Sequence, residues 1–509
     1  MRRALIGIAI SALIIAMFGS ASSAGAASGQ ITLRTSFAKL AGTVNVASLP
    51  RASRHQAGTG PMRHIPLRTL PGGRAPAPGS GSVVAPASAV SPLLSFSKGT
   101  VLPGALKDSD NTVGLTPPDM AVGADATHVL QMVNVVGKIW TNGVPGAAFQ
   151  LNAFFLAGAD FTSDPWVLFD QESGRWFAGI FDVTLGGERI AVSQTGNPTG
   201  SWFVYAIRYP GEPGGGCPDQ GKGGVDSDTV GLGFNEFSGV GCTGGFLGAA
   251  IELFPKAPML AGQSIAFQAT NPMPQFFSLV PAQALTNGMT KLFFASNEGA
   301  RSNLLHRFTS TGIPPNATLT MLPDLTIKKY TNPPAASQPG TPVKLDSGDV
   351  RMQHVVQKVI GASTRLLMTW ANKCTPAGDT ASRDCSRVTV TNETAGALVF
   401  SKNISTLGAF NFYPAATWNS SNDIVVTFGQ SSSGINPRLM GTASNGSSSF
   451  GPPIVLAAGS TPNTTGRYGD YFAVAQDPAN LSNVWAAGEI GGPVNNDWQT
   501  AVVEVNVVP

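Results

Sequence analysis

The chain has 509 residues with 60 Gly and 38 Pro, and only 12% are charged, about half the usual share of ~25%. A hydrophobic content of 42% with 27 Phe and 8 Trp excludes a chain disordered throughout, and the Gly and Pro content excludes a helical bundle or helical repeat. The net charge of +3 divides unevenly. Met1–Lys107 carries 11 basic residues and no acid, leaving 21 basic against all 29 acidic residues, a net of −8, from Asp108 onward. An acidic body argues against nucleic acid as a partner.

Arg2 and Arg3, the apolar run Ala4–Phe18 and the small residues ending Ala24-Gly25-Ala26 have the order of a secretory signal peptide. The run of 15 residues is shorter than the roughly 20 needed to span a bilayer, so residues 1–26 are expected to be removed and the protein to be secreted rather than membrane-spanning. A periplasmic or cell-surface location fits the same signal. Residues 27–110, rich in Ala, Pro, Gly and Ser with scattered Arg, read as a disordered basic linker or pro-segment, with room for a strand or two in Ile31–Val46.

From residue 111 to 509 short apolar, aromatic and β-branched runs alternate with Gly, Asn, Asp and Pro turns. Pro258–Ala261 and Val280–Leu285 could each hold a turn of helix. A long-period restart is visible in seven segments, which begin at Pro118, Asp164, Asp228, Pro274, Asp349, Tyr413 and Asp470. Seven units of 57 residues suit a β-propeller of four-stranded blades, all-β and closed into a ring. Tandem β-sandwiches would show short strands without the restart. The four cysteines fall in two near pairs, Cys217 with Cys242 and Cys374 with Cys385, and an exported chain makes disulfides of both. Neither pair has the spacing of a zinc site, and no His lies near them.

The runs Asp164–Phe177, Ile190–Trp202, Gly248–Glu252, Leu345–Arg351 and Arg467–Tyr471 resemble, in order, those of a widespread family of exported bacterial proteins. The resemblance implies a secreted, sialidase-like β-propeller and no particular activity. The Ser-x-Asp-x-Gly-x-x-Trp box of true sialidases is missing, so sialidase activity is not expected.

The first residues of each innermost strand border one mouth of a propeller's channel. The repeat register therefore gathers Asp119, Asp164, Asp228, Asp349 and Asp470 there, with Arg351, Tyr413 and Arg467 nearby. Asp164, Asp228, Asp349 and Asp470 are the candidate catalytic acids. Asp119, Arg351, Tyr413, Arg467 and Trp166 are candidate ligand contacts, and Trp176 and Tyr471 are further stacking faces. Such acids could divide into a proton donor and a base, bind Ca²⁺, or hydrogen-bond sugar hydroxyls. Alternatively, each Asp caps the start of its strand by accepting backbone N–H bonds. No other cofactor is expected.

The Gly-rich run Gly211–Gly224 lacks the ending of a phosphate loop and reads as a disulfide-tied insertion beside the channel. His128, His306 and His354 read as packed imidazoles, and no serine-hydrolase or zincin motif occurs. Three functions remain open. They are a monomeric binder of extracellular glycan or cell-wall polymer, a glycoside hydrolase or polysaccharide lyase, and an interaction scaffold.

Overall fold

The computed structural model describes residues 29–52, 63–64, 94–111, 114–211, 216–239, 242, 244–495 and 497–508; residues 1–28, with the expected signal peptide, and most of 53–93 lie outside them. Seven antiparallel sheets form the blades of a propeller. Their innermost strands are Ala121–Ala124, Thr162–Asp170, Gly216–Val225, Phe277–Pro281, His354–Ile360, Phe410–Trp418 and Ala473–Gln476. Each packs against the next, and the seventh returns to the first, so the ring is closed.

Large side chains fill the space between blades. Trp166, Phe177 and Phe181 of blade 2 meet Phe234 and Phe254 of blade 3, and Phe412, Tyr468 and Phe472 join blades 6 and 7. Each fully buried Phe or Leu contributes roughly 1.5–3 kcal/mol, so the wedges between sheets hold the ring together. Among the described residues no helix is long and apolar enough to cross a membrane. A short helix, Lys256–Leu260, falls close to the turn expected at 258–261. Val280–Leu285 is extended instead, because Phe277–Pro281 is an innermost strand and Gln283–Ala284 pairs in parallel with blade 5.

The segment read as a basic linker is partly ordered on the blades. Gly29–Ile31 adds an outer strand to blade 4, Arg34–Ala38 to blade 3 and Leu40–Asn45 to blade 2, and Arg51 bridges to Phe149 of blade 1. The chain thus wraps the rim against the blade order. Strands were expected within Ile31–Val46, but not their partners. Ser95–Val101 then forms the outermost strand of blade 7, beside the C-terminal Trp498–Val508. First and last parts of the propeller are therefore sewn into one sheet.

The third repeat was misaligned. Asp228 precedes the second strand of blade 3, Thr229–Ser238, whereas the innermost strand is the Gly-rich Gly216–Val225. Its glycines serve close packing rather than loop freedom. A Cβ on Gly221 or Gly223 would enter the rings of Phe181 or Trp166, and one on Gly224 would meet the Ala282 carbonyl. Replacing Gly223 by Ala is therefore expected to destabilise the protein by about 1–3 kcal/mol, measurable as a lowered urea midpoint. An unchanged midpoint would contradict this packing. Both expected disulfides are present, Cys217–Cys242 and Cys374–Cys385.

Candidate functional site

At one end of the channel, residues near the start of five innermost strands adopt the left-handed backbone conformation: Asp119, Asp164, Gln220, Ser278 and Tyr413 have φ of 43°, 57°, 55°, 50° and 49°. In blades 2, 3, 4 and 6 the strand register breaks at these positions. A bulge here re-aims a side chain that a regular strand would point elsewhere. Left-handed conformations of non-glycine residues cost on the order of 1–3 kcal/mol and collect at functional sites.

Asparagines clasp neighbouring blades behind the ring. The Asn134 side-chain oxygen accepts from the Asp164 N–H at 2.9 Å, and its amide donates to Asp119 Oδ2 at 2.7 Å. Asn235 likewise accepts from the Ser278 N–H at 2.7 Å. Asn297 donates to the Val350 carbonyl.

The mouth contains Asp119, Asp164, Asp349, Asp470, Arg351, Arg467 and Tyr413, and it also brings in Asp346, Gln220, Lys222 and Tyr471. Asp228 is absent from it. Asp228 lies in the turn beyond Val225, at the opposite end of the innermost strand, where its carbonyl accepts from the Lys256 N–H. The restart that suggested it marks a different turn of the blade.

The mouth acids are of two kinds. Asp349 accepts from Arg351 at Nε (2.7 Å), Nη2 (2.8 Å) and the backbone N–H (3.0 Å). Asp470 accepts both Nη groups of Arg467, one at 2.6 Å. These two acids are paired with arginines two or three residues away, so each guanidinium already has a carboxylate partner. Arg351 also donates to Gln220 Oε1 and lies on the Phe277 ring.

Asp119 and Asp164 are different. Burial, followed by the nearby Asp470 charge, raises both carboxyls above the usual range, Asp119 strongly. Asp164 accepts from the Gln220 N–H at 3.0 Å and the Tyr471 hydroxyl at 3.3 Å. Asp119 Oδ1 is buried without a hydrogen-bond partner among the described residues. A carboxyl held protonated can donate to a ligand oxygen, which an ionised one cannot.

Tyr413, buried, donates to the Asp346 carbonyl at 3.3 Å. Trp166 is not an open stacking face. It is 5% exposed, and its indole N–H donates to Glu188 at 2.8 Å. Trp176 lies in the core, bonded to the Gly196 carbonyl.

Inside the mouth Lys222 projects into the channel, its ammonium over the Tyr471 ring. Burial pushes it down to about 7, against the opposing pull of Asp164, Asp119 and Asp470. Burial, then Lys222, lowers His354 to about 4, so this imidazole is neutral. Gln353, lining the same cavity, has both amide atoms buried without partners, as does Gln220 Nε2. Lys222, Gln220 and Gln353 were missed in the sequence. A lone basic residue in a Gly-rich run was the available signal. Among the described residues no group of three or more His, Cys, Asp or Glu is placed to hold a metal ion.

Comparison with protein-family models and with curated proteins finds no match. Among solved structures, a sialidase from Streptococcus pneumoniae is similar at 11% identity and a TM-score of 0.37, covering 75% of this chain and 83% of that one. A sialidase from Trypanosoma rangeli is similar at 10% identity and 0.33, covering 67% and 54%. An α-L-arabinofuranosidase from Podospora anserina is similar at 12% and 0.30, covering 76% and 90%. Likenesses this remote carry no weight for activity. The chain is a seven-bladed β-propeller on its own strand pairing.

Proposed function

We propose that the protein is a secreted, monomeric propeller that binds extracellular glycan or cell-wall polymer at the channel mouth. One observation carries this reading. Asp119 Oδ1, Gln220 Nε2 and both amide atoms of Gln353 are buried without partners, beside carboxyls that burial favours in the uncharged form. Uncharged donors and acceptors held on rigid strands match the hydroxyls of a sugar ring, and buried polar atoms otherwise stay unpaired at a cost of about 1–3 kcal/mol each.

A second reading, hydrolysis of a glycosidic bond or lyase cleavage, rests on the same Asp119–Asp164 pair. Two neighbouring carboxyls cannot both ionise freely, and that inequality separates an acid from a base.

A glycan array run beside a reducing-end release screen on polysaccharides tests both. Binding without release, weakened about tenfold or more in Asp164→Asn, supports the first reading. Release that Asp119→Asn or Asp164→Asn abolishes supports the second. Silence in both assays overturns both and leaves a protein-interaction scaffold.

A further inference from the structure

At the outer rim, between blades 4 and 5, a cleft carries a charge opposite to that of the acidic body. Four exposed lysines, Lys328, Lys329, Lys373 and Lys402, surround it, and Arg387 lies in its floor. Among the described residues no Asp or Glu lines it.

Arg387 is 1% exposed, yet all its hydrogen bonds go to neutral acceptors. Nε donates to Asn403 Oδ1, Nη1 to Ser401 Oγ at 3.0 Å and the Lys328 carbonyl at 3.2 Å, and Nη2 to the Lys329 carbonyl at 3.3 Å. The other buried arginines, Arg189, Arg307, Arg351 and Arg467, each face a carboxylate. Burial pushes Arg387 down to about 10, so it remains a cation at neutral pH. The lining thus carries five cationic residues and, among the described residues, no acid, a composition that a bound anion complements.

The cleft is also built to keep its shape. The disulfide Cys374–Cys385 ties together the paired strands Ser363–Cys374 and Arg383–Asn392 beneath it. Asn372 donates to Asn403 at 3.2 Å and accepts from the Thr331 N–H at 3.0 Å, linking the two blades across the floor.

We propose that this cleft binds the anionic groups of an extracellular polysaccharide, as sulfate or phosphate esters, separately from the channel mouth. Lysine ammonium groups suit such point anions, and the Asn403, Thr375 and Ser405 side chains beside them can meet sugar hydroxyls. No aromatic side chain lines the cleft, so it lacks the stacking platform that single-stranded nucleic acid uses.

The test is titration calorimetry of the full chain at low salt, with a heparin hexasaccharide, inorganic sulfate and a short single-stranded oligonucleotide as probes. The hexasaccharide should bind more tightly than either other probe, and its affinity should fall with added salt. The variant K328Q/K329Q/K373Q/K402Q should weaken binding about tenfold or more and flatten the salt dependence at an unchanged melting temperature. The pair K291Q/K344Q, at exposed lysines elsewhere, should leave it intact. The proposal is overturned if the wild type does not bind, if the fourfold variant binds as well as wild type, if the oligonucleotide binds as tightly as the hexasaccharide, or if sulfate alone accounts for the affinity as an adventitious ion. Failure of glycan binding at the mouth would leave these outcomes untouched.

Discussion

Replacing Arg351 by Met is expected to destabilise the protein by about 3–5 kcal/mol, the usual loss when one member of a buried ion pair is removed. Arg351 is 3% exposed and Asp349 6%. Without the guanidinium, Asp349 would lose the 2.7 and 2.8 Å bonds that compensate its desolvation, and Gln220 Oε1 would lose a donor. The double variant D349N/R351M leaves no orphaned charge and should be less damaged than Arg351→Met alone. Urea unfolding of the double variant and of both single variants, Arg351→Met and Asp349→Asn, decides the matter: a double loss equal to the sum of the single losses would mean that the pair does not act as a unit.

Replacing Lys222 by Met is expected to do the opposite and stabilise the protein near neutral pH. In the unfolded chain the amine titrates at its ordinary 10.5, and in the folded channel at about 7. Between those values the unfolded state binds more protons, so the wild type loses stability as pH falls from about 10.5 to 7, and the loss is complete below 7. Discounting the full shift because Lys222 is partly exposed to the channel, the variant should gain roughly 2–4 kcal/mol at pH 6 and little at pH 10. Denaturant midpoints measured across that range provide the check, and a gain that does not depend on pH would sink the explanation. Here a lysine that weakens the fold lies beside two raised carboxyls and the Gln353 amide, the kind of cluster that collects at functional sites.

Much of the architecture was legible because it repeats. Six of the seven restarts fall at or just before innermost strands, and the mouth aspartates follow from that register. The third failed because Gly216–Val225 looks like a loop. Its glycines are there to admit Trp166 and Phe181, neighbours supplied by another blade and invisible in a local pattern. The rim strands were hidden for a related reason. Arg34–Ala38 and Leu40–Asn45 bury little more than Ala38 and Val44, so they show no sustained alternation, and their partners lie more than 150 residues away. At the site, sequence spacing brought Asp349 to Arg351 and Asp470 to Arg467, but could not tell that each pair would satisfy itself. That closure leaves Asp119 and Asp164 as the mouth acids without an arginine ion pair among the described residues.

The wrapping of the rim also sets an order in time. Gly29–Ile31 pairs with Leu319–Met321, and Ser95–Val101 with Val503–Val508. Segments that leave the ribosome first must therefore wait, unpaired, for edges made hundreds of residues later. Strands first in the chain can then settle last, as fasteners over a ring that has already closed.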